Sequence, residues 1–352
     1  MIGAKQLLDD NYALERVIGC GDSGIVVAAR HARLGLRVAL KFLRPDRPRT
    51  PEVTKRFVRE GQINARIQNA HVTRVLDIGR LPDAEPFLVL EHLQGCDLGA
   101  LLAARGPLAS GDAVAYVRQA CAGLASVHGH GVIHRDLRPE NLFLTLAPNG
   151  SPLIKLLDFG LAEETNHAQD VSLNRSELGP APVVAPEQLR GERRADAKSD
   201  IWALGAALFT LLSGRSPFER SYASETYLAI LSGRVPDLCA LRPDIERSLA
   251  AVVERCLAPN PDKRFTSAAE LGAALTPFSG TGPRSAGSRS PSAPPPPPPA
   301  GRARRDTPAP NSELPAPNSE LPAPNSGFPA KNGGPLLKHR AHSAENRVPS
   351  HC

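Results

Sequence analysis

Apolar residues in the first part of the chain recur in short runs separated by turns. Tyr12–Ile18, Ile25–Ala29 and Arg37–Leu43 are rich in aliphatic or β-branched residues, with glycine-containing segments between them, which predicts three strands. In the third run the alternation of a strand puts Val38, Leu40 and Phe42 on one face and Ala39, Lys41 and Leu43 on the other. From Glu52 to Gln68 the period lengthens, with Val53, Phe57, Ile63 and Ile67 among charged residues, and a helix is expected. A clearer one carries Val114, Val117, Cys121, Leu124 and Val127 at spacings of three and four and is closed by Gly129 and Gly131. Strands return at Val132–Ile133, Asn141–Leu144 and Leu153–Leu157, after which the pattern is mostly helical. The expected class is α+β: a small antiparallel sheet lobe, then a larger helical lobe, with a hinge near Glu91 to Asp97.

The longest apolar run, Ile201–Leu212, has 12 residues. That is short of the roughly 18–20 needed to cross a bilayer, so it reads as a buried helix. The start, MIGAKQLLDD, lacks the apolar stretch of a signal peptide. The expected location is cytoplasmic, with no membrane span.

Composition breaks near Phe278. Beyond it a proline-rich stretch leads into a seven-residue repeat, PAPNSEL from Pro308 and again from Pro315, degenerating to PAPNSGF from Pro322. Few apolar groups and many prolines cannot offset the entropy of ordering, so a disordered tail with local polyproline II is expected. The chain divides into an N-terminal extension (1–11), a folded domain (12–278, with a small lobe 12–92 and a large lobe 93–278) and the tail (279–352). Pro294–Pro299 is a candidate ligand for a proline-recognising partner. Nine Lys/Arg and four Asp/Glu follow Phe278, so the tail carries +5 of the net charge of +6. The folded part is nearly neutral, which argues against nucleic acid as a partner. Arg302, Arg304 and Arg305 read as a solvated cluster. Six cysteines without a CxxC pair or zinc-ligand spacing read as incidental thiols of a reducing compartment. High Ala, Arg, Gly and Pro content, with no Met after residue 1, suggests a GC-rich bacterial genome.

Candidate chemistry begins with Gly19-x-Gly21-x-x-Gly24-x-Val26 between the first two strands. Glycines at this spacing let backbone N–H groups approach phosphate oxygens. A strand follows, not a helix, so this is no dinucleotide-binding fingerprint. Lys41, in Val38-Ala39-Leu40-Lys41, would face inward, and a buried lysine needs negative partners. A nucleotide phosphate and a carboxylate would serve, with Glu60 the first candidate and Glu52 the second.

His134-Arg135-Asp136-Leu137-Arg138-Pro139-Glu140-Asn141 comes next, followed by Asp158-Phe159-Gly160, Ala185-Pro186-Glu187, Ser199-Asp200-Ile201-Trp202-Ala203-Leu204-Gly205 and Asn260-Pro261-Asp262-Lys263-Arg264-Phe265. With these motifs the chain resembles the protein kinase family, and bacterial eukaryotic-like serine/threonine kinases in particular, over about 265 residues. The resemblance implies a bilobal catalytic domain that transfers the ATP γ-phosphate to a protein hydroxyl in bacterial signalling. It implies that Asp136 orients the acceptor hydroxyl and takes its proton, that Lys41 holds the α- and β-phosphates and pairs with Glu60, and that Arg138 reaches the γ-phosphate. Asn141 and Asp158 would bind Mg²⁺, with Mn²⁺ an alternative. ATP would lie against Ile18, Gly19, Gly21, Gly24, Val26, Ala39 and Leu90, with the adenine bonded to the backbone of Glu91 to Leu93 and the ribose near Asp97. Glu187 and Arg264 match the family's buried ion pair, and Asp200 its brace for the catalytic loop. Arg135 beside Asp136 suggests switching by phosphorylation at Thr165, Ser172 or Ser176.

Two positions depart from the family pattern. Arg138 stands where serine/threonine kinases usually carry Lys, and a guanidinium is not equivalent to an ammonium. Gly179-Pro180-Ala181-Pro182-Val183-Val184 replaces Gly-Thr-Pro-x-Tyr-x, so Pro180 removes the hydroxyl that would bond the aspartate. These departures support an alternative, an ATP-binding pseudokinase that acts as a scaffold. A small-molecule phosphotransferase is a third reading, opposed by Ala185-Pro186-Glu187 and Asp200. The protein substrate is not specified by the sequence.

Overall fold

The computed structural model describes residues 7–8, 11–21, 24–44, 50–82, 84–158, 163–164, 184–191 and 195–280. Phe159, Gly160, Thr165, Ser172, Ser176, residues 179–183, the proline run and the repeats lie outside the described residues. Among the described residues no helix is long and apolar enough to cross a membrane.

A six-stranded antiparallel sheet forms the first lobe. Its strands are β1 (Leu7–Leu8), β2 (Tyr12–Gly21), β3 (Gly24–His31), β4 (Arg37–Phe42), β5 (Val75–Arg80) and β6 (Pro86–Glu91), in the order β1-β2-β3-β4-β6-β5. The helix α1 (Pro51–Arg66) packs on β5 and β6. Thr50 caps it by accepting the Val53 N–H at 3.4 Å, and Pro51 opens it where its missing donor costs nothing. Both faces of β4 are buried: Val38 and Leu40 join Tyr12, Ala29, Phe87 and Val89 in a small core, while Ala39 and Lys41 face the cleft. The predicted alternation is borne out here, and β2, β3, β4 and α1 fall close to their expected bounds.

β5 and β6 are absent from the sequence reading. β5 is half-exposed without regular alternation, and β6 is buried on both faces at Pro86–Val89, so neither shows a period of two.

The chain leaves the sheet at Glu91 and enters the larger lobe through β7 (Cys96–Asp97), α2 (Leu98–Arg105) and α3 (Ser110–Gly129). Then come β8 (Val132–Ile133), β9 (Leu142–Leu146), β10 (Pro152–Leu156) and β11 (Glu163–Glu164), paired as β10-β9-β7 and β11-β8. Asn141, expected to begin a strand, closes a 3₁₀ turn at Pro139–Asn141 instead, its N–H donating to the Arg138 carbonyl at 2.9 Å and its side chain to Asp136. The helices α4 (Pro186–Arg190), α5 (Ala197–Ser213), α6 (Ala223–Ser232), α7 (Leu238–Leu241), α8 (Arg247–Cys256) and α9 (Ala268–Ala274) complete the lobe.

α5 is the expected buried helix. Asp196 caps it by accepting the Lys198 and Ser199 N–H groups at 2.8 and 3.2 Å, and Gly214 ends it in the left-handed region. Trp202, Leu204, Leu208 and Leu211 are buried in the main core with α3 and α8 around them. Trp202 stacks on Phe218 at 5.2 Å, with the Arg264 guanidinium 4.9 Å from its ring.

Candidate active site

The hairpin of β2 and β3 pairs Gly19 with Val26 and Gly21 with Gly24. Gly24 has φ of +149°, and a Cβ there would stand 2.3 Å from the Phe42 carbonyl oxygen. Only glycine lets the hairpin lie this close to β4, which carries Lys41.

Lys41 Nζ donates to Glu60 Oε1 at 2.9 Å and to Asp158 Oδ1 at 2.6 Å. The side chain is 2% exposed. Burial alone would lower its pKa, but the carboxylates of Asp158 and Glu60 outweigh that and hold it above its ordinary value. The ammonium therefore stays charged inside the cleft. Glu60 is reached because α1 turns it inward. Glu52, the second candidate, is exposed in the first turn, one end of the helix away.

Asp136 lies on the loop after β8. Asn141 Nδ2 donates to its carboxylate at 2.8 Å and to its backbone carbonyl at 2.7 Å, so Asn141 fixes both the loop and the side chain. Below them Asp200 accepts the His134 N–H at 2.9 Å, the Arg135 N–H at 2.8 Å and a contact of 2.7 Å from His128 Nε2. Its carboxylate is 1% exposed, so these donors replace all of its water. Arg135 and Asp158 adopt left-handed φ of +66° and +50°. Such conformations cost about 1–3 kcal/mol in a non-glycine residue and persist where surrounding bonds impose them.

Every nucleotide-contact candidate, from Ile18 and Gly19 to Leu93 and Asp97, lines one cleft together with Lys41, Glu60, Asn141 and Asp158. Asp97 also caps α2, its Oδ1 accepting the Ala100 N–H at 2.7 Å. Arg138 Nε donates to Glu140 at 2.7 Å, and both side chains are about half exposed. Burial would raise the Glu140 pKa, but Arg138 brings it below the ordinary value.

In the large lobe Arg264 holds Glu187 through NH1–Oε1 at 2.8 Å and NH2–Oε2 at 2.7 Å, and Ser199 Oγ adds a bond of 2.9 Å. Burial pushes the Glu187 pKa up, and Arg264 and Ser199 more than reverse this.

Three residues near the site escape a reading of the sequence. His128 contacts Asp200, Asn64 lies buried one turn after Glu60 on α1, and Lys155 joins β10 to Glu91. His128 and Asn64 sit at helical spacing within segments otherwise read as packing. Lys155 had a signal: a charge inside the apolar run Leu153–Leu157.

Asp158 and Asn141 present oxygen donors of the hard type that Mg²⁺ takes. Asn141 commits its Nδ2 to Asp136, so its amide oxygen is the atom left for a cation. The residues fit a divalent ion.

A sheet lobe and a helical lobe, meeting at a cleft where a buried lysine lies between two carboxylates, define a protein-kinase-like fold. The protein kinase domain family matches residues 12–274, and the chain belongs to that family. It is 34% identical over 275 residues to the serine/threonine-protein kinase PknB of Mycolicibacterium smegmatis, covering 77% of this chain and 43% of the relative. It is 35% identical over 269 residues to the serine/threonine-protein kinase pkn3 of Myxococcus xanthus, covering 75% and 49%. The chain thus spans less than half the length of these relatives. The crystal structure of the Mycobacterium tuberculosis PknI kinase domain superposes with a TM-score of 0.61 at 28% identity, covering 79% of this chain and all of that one.

Proposed function

We propose that the chain is a bacterial serine/threonine protein kinase, with residues 12–278 as its catalytic domain, transferring the ATP γ-phosphate to a protein hydroxyl. The observation that carries this is Lys41 bonded to Glu60 and Asp158 at once, which links the sheet lobe, α1 and the segment just after β10 of the large lobe. Phosphoryl transfer asks the protein for positioning and charge more than for covalent help.

In this reading ATP lies under the β2–β3 hairpin, with its adenine against Val26, Ala39 and Leu90 and bonded to the backbone of Glu91 and Leu93. Lys41 is held charged and aimed by its two carboxylates, and it binds the α- and β-phosphate oxygens. Asn141 and Asp158 would hold Mg²⁺ or Mn²⁺, which would supply positive charge to neutralise the phosphates. Asp136 accepts the proton of the substrate hydroxyl as its oxygen bonds to the γ-phosphorus and ADP departs with the cleaved bond's electrons. Asp200 and Asn141 keep Asp136 in place. Arg138, two residues after Asp136, would have to leave Glu140 to meet the γ-phosphate.

Pro180 and Arg138 remain the sequence support for a pseudokinase; against it, Lys41, Asn141 and Asp158 line one cleft and Asn141 holds the Asp136 carboxylate, which supports transfer. The test is radiolabelled γ-phosphate transfer to the protein itself and to a basic protein, comparing wild type with Asp136→Asn. Loss of about 10²–10⁴-fold in the variant, with ATP binding kept, is expected of a proton acceptor. A wild type stabilised by ATP but transferring nothing would establish the scaffold instead.

A further inference from the structure

We infer that Lys155 is a positioning residue for the nucleotide: it fixes the hinge at Glu91 against the strand that leads into Asp158, and so sets the two ends of the ATP cleft in register. This rests on the kinase reading above.

Lys155 lies on β10, three residues before Asp158, with its side chain 9% exposed. Its Nζ donates to Glu91 Oε1 at 2.6 Å and to the Val72 carbonyl at 3.4 Å. Glu91 is the last residue of β6, opposite Val38 of β4, where the chain leaves the sheet. Its carboxylate also accepts the Arg74 N–H at 2.8 Å, while its own N–H donates to the Arg74 carbonyl at 3.1 Å. The Arg74 guanidinium stands 3.8 Å away with a side chain 65% exposed, so solvent screens it. Lys155 is therefore the buried cation on Glu91 among the described residues.

Backbone bonds hold the neighbouring seam. Thr73 gives its N–H and its hydroxyl to the Leu156 carbonyl at 3.1 and 2.9 Å, and the Leu156 N–H reaches the His71 carbonyl at 2.8 Å. These bonds tie β10 to the segment between α1 and β5, but none reaches the hinge residue. The Lys155–Glu91 pair does. Breaking a buried pair from one side strands the other charge. Without Lys155, Glu91 regains solvent by turning the residue whose backbone would meet adenine. Lys41, Asp136 and Asn141 touch neither partner, so the loss falls on binding and not on transfer.

The experiment measures ADP affinity by calorimetry, and KM for ATP and kcat by transfer, for wild type, Lys155→Met, Glu91→Gln and the double variant. Lys155→Met is expected to weaken ADP and raise KM by about tenfold, the worth of one charged hydrogen bond, with kcat within about twofold. The double variant should be no worse than the more damaging single one, because both act through one contact. Unchanged ADP affinity, a fall confined to kcat, or additive effects would overturn the proposal. If Lys155→Met does not fold, Glu91→Gln breaks the same pair from the other side and carries the test alone. A wild type that neither binds ADP nor transfers phosphate overturns the kinase reading itself, which is recognised because the unmutated protein fails.

Discussion

Arg264 and Glu187 lie 77 residues apart in the chain and meet through two parallel hydrogen bonds of 2.8 and 2.7 Å. The guanidinium edge is fully buried and the carboxylate 3% exposed, with Ser199 and the Ala258 carbonyl taking up further capacity. The pair pins α4 to the segment between α8 and α9, and the bonds of Ser199 to Glu187 and of Arg264 to the Lys198 carbonyl at 3.0 Å add the base of α5. Removing one partner leaves a buried charge alone, so Arg264→Leu is expected to lower unfolding free energy by about 3–5 kcal/mol, read by urea denaturation. Loss below about 1 kcal/mol would mean the pair contributes no more than an exposed one.

The same pair gives a pH dependence. Glu187 has a folded pKa below its ordinary value of 4.5, so its contribution is present above pH 4.5 and is lost as the pH falls through the folded pKa. Stability curves of wild type and Glu187→Gln should therefore run parallel between pH 6 and 8 and converge at acid pH. A constant gap down to the acid limit would contradict this assignment.

Lys41→Met removes the cation between Glu60 and Asp158 and leaves two carboxylates facing each other in the cleft. Phosphate transfer should fall by at least about 10²-fold, the scale of losing a preorganised charge contact, measured by radiolabel incorporation. Lys41→Arg should not restore it, because a planar fork cannot occupy the site of a compact ammonium 2% exposed. Recovery by arginine would show that charge alone suffices.

Gly24→Ala places a Cβ 2.3 Å from the Phe42 carbonyl oxygen at a φ of +149°. The hairpin must withdraw from β4, and a stability loss of about 1–3 kcal/mol is expected together with weaker nucleotide binding. Thermal shift with and without ATP separates the two effects. Wild-type affinity in the variant would remove the hairpin from the phosphate site.

Asp200→Asn keeps the size of the side chain but turns an amide N–H₂ toward backbone N–H groups that now meet oxygens at 2.9 and 2.8 Å. Two donors then face each other in a buried site. kcat should drop by about tenfold or more through displacement of Asp136, with KM for ATP little changed, since the cost of one unsatisfied buried donor is of that size. An unchanged kcat would show that Asp200 serves stability only.

Local order was legible in the chain. Val38–Phe42 alternates, α1 and α3 keep a helical period, and the order of motifs from Gly19 to Arg264 sufficed to name the family and the candidate site. These signals are local because they rest on periodicity and on residue types at short spacing. β5 and β6 gave no such signal: a strand half-exposed without alternation or buried on both faces has no period to read. Glu60 ranks ahead of Glu52 as the partner of Lys41 from the sequence, and the rotation of α1 on β5 and β6 turns Glu60 inward and leaves Glu52 in water. Glu187 with Arg264, 77 residues apart, is named from its motifs, whereas Lys155 with Glu91 and His128 with Asp200, 64 and 72 residues apart, are not. The latter pairs form because a buried charged or polar group must find a hydrogen-bonding partner in the packed interior, and only the tertiary arrangement decides which residue stands there.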